Sequence, residues 1–289
     1  MVTLLALGAA LFYGVADFLG GAASRRASAL SVLLVSIPIG LSVLAVAALV
    51  EGTGPGASGL AWGVGSGLVS GAGFLTFYRA LAKGPMSVVA PVSALAGAVV
   101  PVVAGLARGE SLDGRVLAGV LLCMAAIGLV SMEPGRARAD TGRHVLDNGP
   151  VLAAFSGTMF GCFFVLVSQA GDGGGLWPLV ASRVGVLVVI LGAVLVLAAR
   201  GVQKIGFGAL RNRVTIWIVI GAGALDVVAN IAYFKASNAG LLSVVAVLTS
   251  LYPAITVLLA RIVYAERLQA VQRIGMLIAL TGVALVTTG

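Results

Sequence analysis

Apolar runs of about twenty residues follow one another along nearly the whole chain, and no other feature restricts its fold as much. A bilayer core of about 30 Å is crossed by roughly 20 apolar residues in a helix. Ten segments meet that length: 2–22, 29–50, 59–82, 85–107, 113–132, 149–170, 177–199, 213–237, 240–262 and 269–288. In hydrocarbon every backbone N–H and C=O must find its partner within the protein, so such runs fold as helices. Composition points the same way, with 60% hydrophobic residues, 10% charged and a mean hydropathy of +1.13, whereas about a quarter of an ordinary soluble domain is charged. The net charge of +8 does not indicate nucleic acid, because the basic residues lie singly or in pairs between apolar runs. The first run has no positively charged leader and is interrupted by Asp17, so it reads as a retained span and not as a cleaved signal peptide.

One stretch is written twice. Phe77 to Leu112, shifted by 156 positions, lies without gaps on Tyr233 to Leu268, and eleven of the 36 positions are identical, against about four expected by chance in so apolar a chain. The anchors are a Gly-x-x-Ser-Val-Val-Ala entry (Gly84, Ser87 to Ala90; Gly240, Ser243 to Ala246) and a Glu-x-Leu exit (Glu110, Leu112; Glu266, Leu268). A fainter echo sets Tyr13-Gly14 on Phe160-Gly161 and Ser36 on Arg183 at a shift of 147. The chain is therefore expected to comprise a five-helix repeat over 1–132, a polar linker over 133–148 and a second five-helix repeat over 149–289. An odd number of spans turns the second copy over, which predicts an all-α membrane protein of ten helices in two inverted halves. Carriers that expose one site alternately to each side of a membrane use that symmetry.

Lys and Arg near helix ends set orientation. Odd-numbered loops and their flanks hold fourteen (Arg25, Arg26, Arg79, Lys83, Arg136, Arg138, Arg143, Arg200, Lys204, Arg211, Arg213, Arg261, Arg267 and Arg273), while even-numbered ones hold Arg108, Arg115 and Lys235. The bias predicts odd loops in the cytoplasm and both termini outside.

An ionisable group inside a span costs about 2.5–3.5 kcal/mol on insertion scales, so it normally faces a cavity or a partner. Asp226 is the deepest, and Asn230 and Tyr233 follow it at i+4 and i+7, on one helix face. It reads either as a proton-coupling or cation-coupling carboxylate or as a buried Asp satisfied by its neighbours. Asp17 repeats the arrangement with Tyr13 one turn before it. Arg79, beside Tyr78, either reaches the headgroups or pairs with Asp17, and its repeat counterpart Lys235 is expected to snorkel. Arg183 either meets an anionic substrate group or pairs with Asp226. Spans 4 and 9 carry Ser93 and Thr249 in register across the repeat, with Tyr252 nearby. Pro91, Pro101 and Pro253 remove helical hydrogen bonds there and are candidate hinges. Gly63, Gly67 and Gly71 predict a close helix contact. Trp62, Trp177 and Trp217 fall near helix ends, the usual place of interfacial anchors. The sole His144 and two Cys make no metal site, and there is no phosphate-cradling Gly-x-x-x-x-Gly-Lys run.

Two five-span halves, each closing with Glu-x-Leu and a following helix that contains a glycine (Gly119; Gly275), together with the opening Tyr-Gly-Val-Ala-Asp-Phe-Leu-Gly-Gly at 13–21, resemble the EamA group of the drug/metabolite transporter superfamily. The resemblance implies a central cavity between helices 1–4 and 6–9, with helices 5 and 10 peripheral, and ATP-independent export of metabolites or drugs. It also implies cytoplasmic termini, contrary to the charge bias, which is followed here. The expected function is secondary active transport of a small molecule, with protons as a possible coupling ion. Lipids are the expected surroundings, in a prokaryotic cytoplasmic membrane, and the protein is expected as a monomer or homodimer without cofactor, metal or nucleic acid. Alternatives from other classes are a membrane enzyme acting on lipids and a passive channel.

Overall fold

The computed structural model describes every residue except 25, 84–85, 132–148, 202–211, 265–268 and 289. The expected linker and the second Glu-x-Leu pair, Glu266 and Leu268, lie outside the described residues. So do the side chains of Tyr78 and Pro91.

Among the described residues the chain is helical, without strands. The helices are α1 (Val2–Ser24), α2 (Ala29–Glu51), α3 (Ala57–Lys83), α4 (Met86–Ala107), α5 (Gly114–Ser131), α6 (Gly149–Ser168), α7 (Trp177–Ala199), α8 (Arg213–Ala239), α9 (Leu242–Thr249), α10 (Tyr252–Tyr264) and α11 (Ala270–Thr288). Eight segments are long and apolar enough to cross a membrane, one of them Leu242–Val263, while Val92–Ala107 and Gly114–Val130 are shorter apolar helices. Helix starts are fixed locally where polar caps are available. Ser28 accepts from the Ser31 N–H at 3.2 Å at the head of α2, and Asn212 accepts from the Val214 N–H at 2.9 Å at the head of α8, each satisfying an amide without a helical partner.

The expected continuous ninth span, 240–262, is instead two helices. Ser250 and Leu251 separate α9 from α10, and Pro253 follows in the first turn of α10. Proline is tolerated in a first turn, where its missing N–H breaks no helical bond. Position 253 therefore starts a helix instead of kinking one. By contrast α4 continues through positions 91 and 101.

Lipid supplies no hydrophobic force between helices, so close packing must hold them, and small residues permit it. A Cβ on Gly63 would come within 2.9 Å of that of Ala181, one on Gly67 would overlap the Ser182 carbonyl, and one on Gly71 would lie 2.7 Å from that of Val189. The expected glycine contact is thus the seam between α3 and α7. Gly119 and Gly282 make the corresponding seam between α5 and α11, where a Cβ added to either would lie only 2.8–2.9 Å from the other's carbonyl oxygen.

The pairing of helices survives an exchange of the two halves. α1 packs on α8 as α6 packs on α3, and α4 on α6 as α9 and α10 pack on α1. Likewise α3 lies on α7 as α8 lies on α2, while α5 and α11 pair with each other. Outer faces are apolar and exposed, for example at Leu195, Trp217, Leu277 and Leu280, as lipid contact requires.

Candidate functional site

Side chains from both halves meet along the inner face of α1. The i, i+4 spacing puts Tyr13 and Asp17 on one face, and Gly14 between them lets α10 approach, since a Cβ there would lie 2.7 Å from the Tyr252 carbonyl oxygen. The Tyr13 ring consequently stands 6.2 Å from that of Tyr252 and 6.3 Å from that of Phe164. Phe164 in turn lies 4.4 Å from Tyr233. Such ring pairs each add about 0.5–1.5 kcal/mol beyond area burial. Tyr233 is fully buried, and its hydroxyl donates to the Phe164 carbonyl at 3.2 Å. It belongs to the wall and does not face the open space.

The charged centre lies beside this aromatic layer. Arg183 of α7 donates from Nη2 to Oδ2 of Asp226 on α8. Asn230, buried one turn later, donates from Nδ2 to the Asp226 carbonyl at 2.7 Å and to its carboxylate at 3.3 Å. Of the two roles open to Arg183, the structure shows pairing with Asp226. The arginine is the more enclosed partner, with 12% of its side chain accessible against 31% for the aspartate. Asp17 differs. It makes no hydrogen bond or ion pair among the described residues, and it is exposed. It shares the face of α1 that carries Tyr13, whose ring packs against that of Tyr252 on α10.

The remaining expected residues lie elsewhere. Arg79, exposed near the end of α3, borders a groove of about 280 Å³ with Thr76, Val151, Leu152 and Phe155, between α3 and α6. The structure does not join it to Asp17. Ser93 is buried where α4 meets α6, its carbonyl facing Gly157, and Thr249 is buried where α9 meets α1, donating to the Ala6 carbonyl at 3.4 Å. Thus the repeat pair Ser93 and Thr249 serves helix packing at equivalent places. Pro101 is buried in α4. Lys235 does not simply snorkel, because it donates to Glu51 at 3.3 Å.

Two carboxylates absent from the expected site organise one face of the bundle. Glu51, at the end of α2, accepts from the Leu176 N–H at 2.9 Å as well as from Lys235, and beside it Trp177 donates through Nε1 to the Thr53 carbonyl at 2.7 Å. The Trp177 indole N–H is thus engaged with protein. Glu110 accepts from the N–H groups of Leu242 and Ser243 at 2.6 and 3.1 Å and from the Ser243 hydroxyl at 2.5 Å. It neutralises the positive end of α9 and satisfies two of its free amides. All these contacts join one half of the chain to the other on the face that carries the even-numbered loops. The sequence marked Glu110 only as a match in the repeat. Glu51 had no signal, because its partners are remote along the chain.

Among the described residues no three or more His, Cys, Asp or Glu are placed to hold a metal ion. A solved crystal structure of another protein is similar to 99% of this chain and 96% of its own, with a TM-score of 0.73 at 18% identity, a likeness of fold alone. No curated protein sequence matches. A sequence profile of the EamA-like transporter family, however, matches residues 1–132 and 147–288, and with both halves so covered the chain belongs to that family.

Proposed function

We propose that this membrane transporter is a secondary carrier that moves a small organic solute by alternating access between two inverted five-helix halves, with Asp17 as the group that takes either a proton or the solute. The carrying observation is the state of Asp17, a carboxylate within a span that has no hydrogen-bond or ion-pair partner among the described residues and lies on the face of α1 that carries Tyr13. A bare carboxylate within a span is costly, so binding a proton or a cationic group relieves it. On its own helix Tyr13 stands one turn before it and packs against Tyr252 of α10, while on α8 the other in-span carboxylate, Asp226, is held by Arg183 of α7. α2 and α9 bring no charged side chain to that level.

The aromatic layer of Tyr13, Phe164, Tyr233 and Tyr252 lies on the even-loop side of the carboxylates, because Tyr13 is a turn nearer that face than Asp17 and Tyr233 two turns nearer than Asp226. Together with Glu51 and Glu110 it supports a state closed on that face and open to the other. The charge bias makes the open face cytoplasmic and the termini external. Export is then the direction in which this state loads.

Reconstitution into liposomes with an internal pH dye tests the proposal. Candidate amines, amino acids and metabolites should give saturable, proton-linked flux with some member, and Asp17→Asn should abolish the proton linkage. Flux without saturation would indicate a channel. Turnover of lipid with no flux would indicate an enzyme, and either result would sink the carrier reading.

A further inference from the structure

The groove between the end of α3 and the first turns of α6 carries a charge that transport does not use. It holds about 280 Å³ and is lined by Thr76, Arg79, Val151, Leu152 and Phe155. Phe164, whose ring packs against Tyr13 and Tyr233, marks the inner face of α6. Phe155 precedes it by nine positions, about two and a half turns, so it points the opposite way, and it is 52% exposed. The groove therefore opens toward lipid and not toward the interior of the bundle. Both helix ends belong to the odd-loop face, which holds fourteen Lys and Arg against three on the other. Snorkelling alone would place an arginine at that depth, but it needs no groove. Here one wall comes from each half of the chain. A guanidinium has five N–H donors in a fork that matches phosphate oxygens, so Arg79 can serve a phosphate together with a neighbour in the protein. Thr76 donates its proton to the Ala72 carbonyl at 2.8 Å, which leaves its oxygen as an acceptor. Below these polar groups Val151, Phe155 and Cys162 follow at i, i+4 and i+11 on one stripe of α6. That stripe is about 17 Å long at 1.5 Å per residue, and one leaflet of hydrocarbon is about 15 Å deep.

We infer that this groove binds an anionic phospholipid of the leaflet on the odd-loop side, with its phosphate at Arg79, a headgroup hydroxyl at Thr76 and one acyl chain along Val151 and Phe155. Basic recesses between membrane helices hold acidic headgroups in this way. Phosphatidylcholine offers the same phosphate, but it brings a fixed positive charge toward Arg79 and no hydroxyl to Thr76. Free phosphate lacks the chain. The site shares no residue with the carboxylates of the transport reading and stands or falls apart from it.

The purified full-length protein is titrated in detergent with phosphatidylglycerol, with phosphatidylcholine of the same chains, or with inorganic phosphate, and bound lipid is read by native mass spectrometry. Saturable retention of phosphatidylglycerol is expected, with phosphatidylcholine held at least about tenfold more weakly, where each tenfold is about 1.4 kcal/mol, and with no displacement by inorganic phosphate. Arg79→Gln should remove that preference. Arg79→Lys should keep part of it, as a point charge without the fork. Arg273→Gln, on the same face but outside the groove, should leave it unchanged. Size-exclusion profiles establish that the variants are folded. Equal retention of the two lipids, or an unchanged preference in Arg79→Gln, overturns the inference. So does an equal loss in Arg273→Gln, which would mean general surface charge, and so does displacement by inorganic phosphate, which would mean an anion site without a lipid. Should Arg79→Gln fail to fold, Phe155→Ala should weaken phosphatidylglycerol retention several-fold while Leu195→Ala, exposed on α7, does not. Equal behaviour of those two variants overturns the inference as well.

Discussion

At the residue scale, the ion pair of Arg183 with Asp226 carries a stability consequence of its own. Either partner left by itself is an uncompensated charge in a low-dielectric span. Asp226→Asn and Arg183→Gln should each lower the apparent melting temperature in detergent by several degrees, on a scale of about 3–5 kcal/mol, and the double variant should lose less than the sum of the two. Strict additivity would show that the two side chains do not interact. The sequence placed both groups in spans and named their pairing as one of two roles for the arginine. It could not choose, because the choice depends on how α7 and α8 turn toward each other. Asp17 was legible as an in-span acid, but its lack of a partner among the described residues was not.

At the element scale, two seams can be tested. Gly67→Val would drive a branched side chain into the Ser182 carbonyl and should reduce folded yield severely, while Gly65→Ala, whose Cβ meets nothing within 4 Å, should be tolerated or slightly stabilising. Comparable yields from both would refute the glycine seam. The bond from Glu110 to the head of α9 is the second. Glu110→Gln should cost about 1.5–3 kcal/mol, as expected for hydrogen bonds to a charged group, and Ser243→Ala less, read as a shift in thermal unfolding with a double-mutant cycle. If Glu110→Gln melts like the wild type, the carboxylate is not holding that face. The residues of this contact were the anchors of the sequence repeat, a Glu-x-Leu exit and a Gly-x-x-Ser entry, yet nothing along the chain says that the exit of one half caps the entry of the other. The break between α9 and α10 was likewise only half visible: Pro253 was marked as a hinge, but its first-turn position depends on Ser250 and Leu251 ending α9.

At the scale of the whole molecule, the exchange symmetry of helix packing gives the repeat its three-dimensional counterpart. Gly14 lies against Tyr252 and Ile255 of α10, and Gly161, its faint match, lies against Gly97 and Val100 of α4. Orientation is tested independently: a cysteine appended after Gly289 should react with an impermeant thiol reagent in intact cells if the charge bias sets topology. Protection of that cysteine until the cells are permeabilised would reverse the assignment, and with it the direction of loading.

Hydropathy and the ungapped repeat by themselves determined a helical membrane protein of two related halves, because a bilayer accepts few backbone solutions and a duplication leaves matching anchors. Which polar groups are spent on each other and which one remains open was decided only by the tertiary structure. Satisfaction of a charge is a property of neighbours, and the partners of Asp226 and Glu110 come from helices 43 and 133 positions away along the chain.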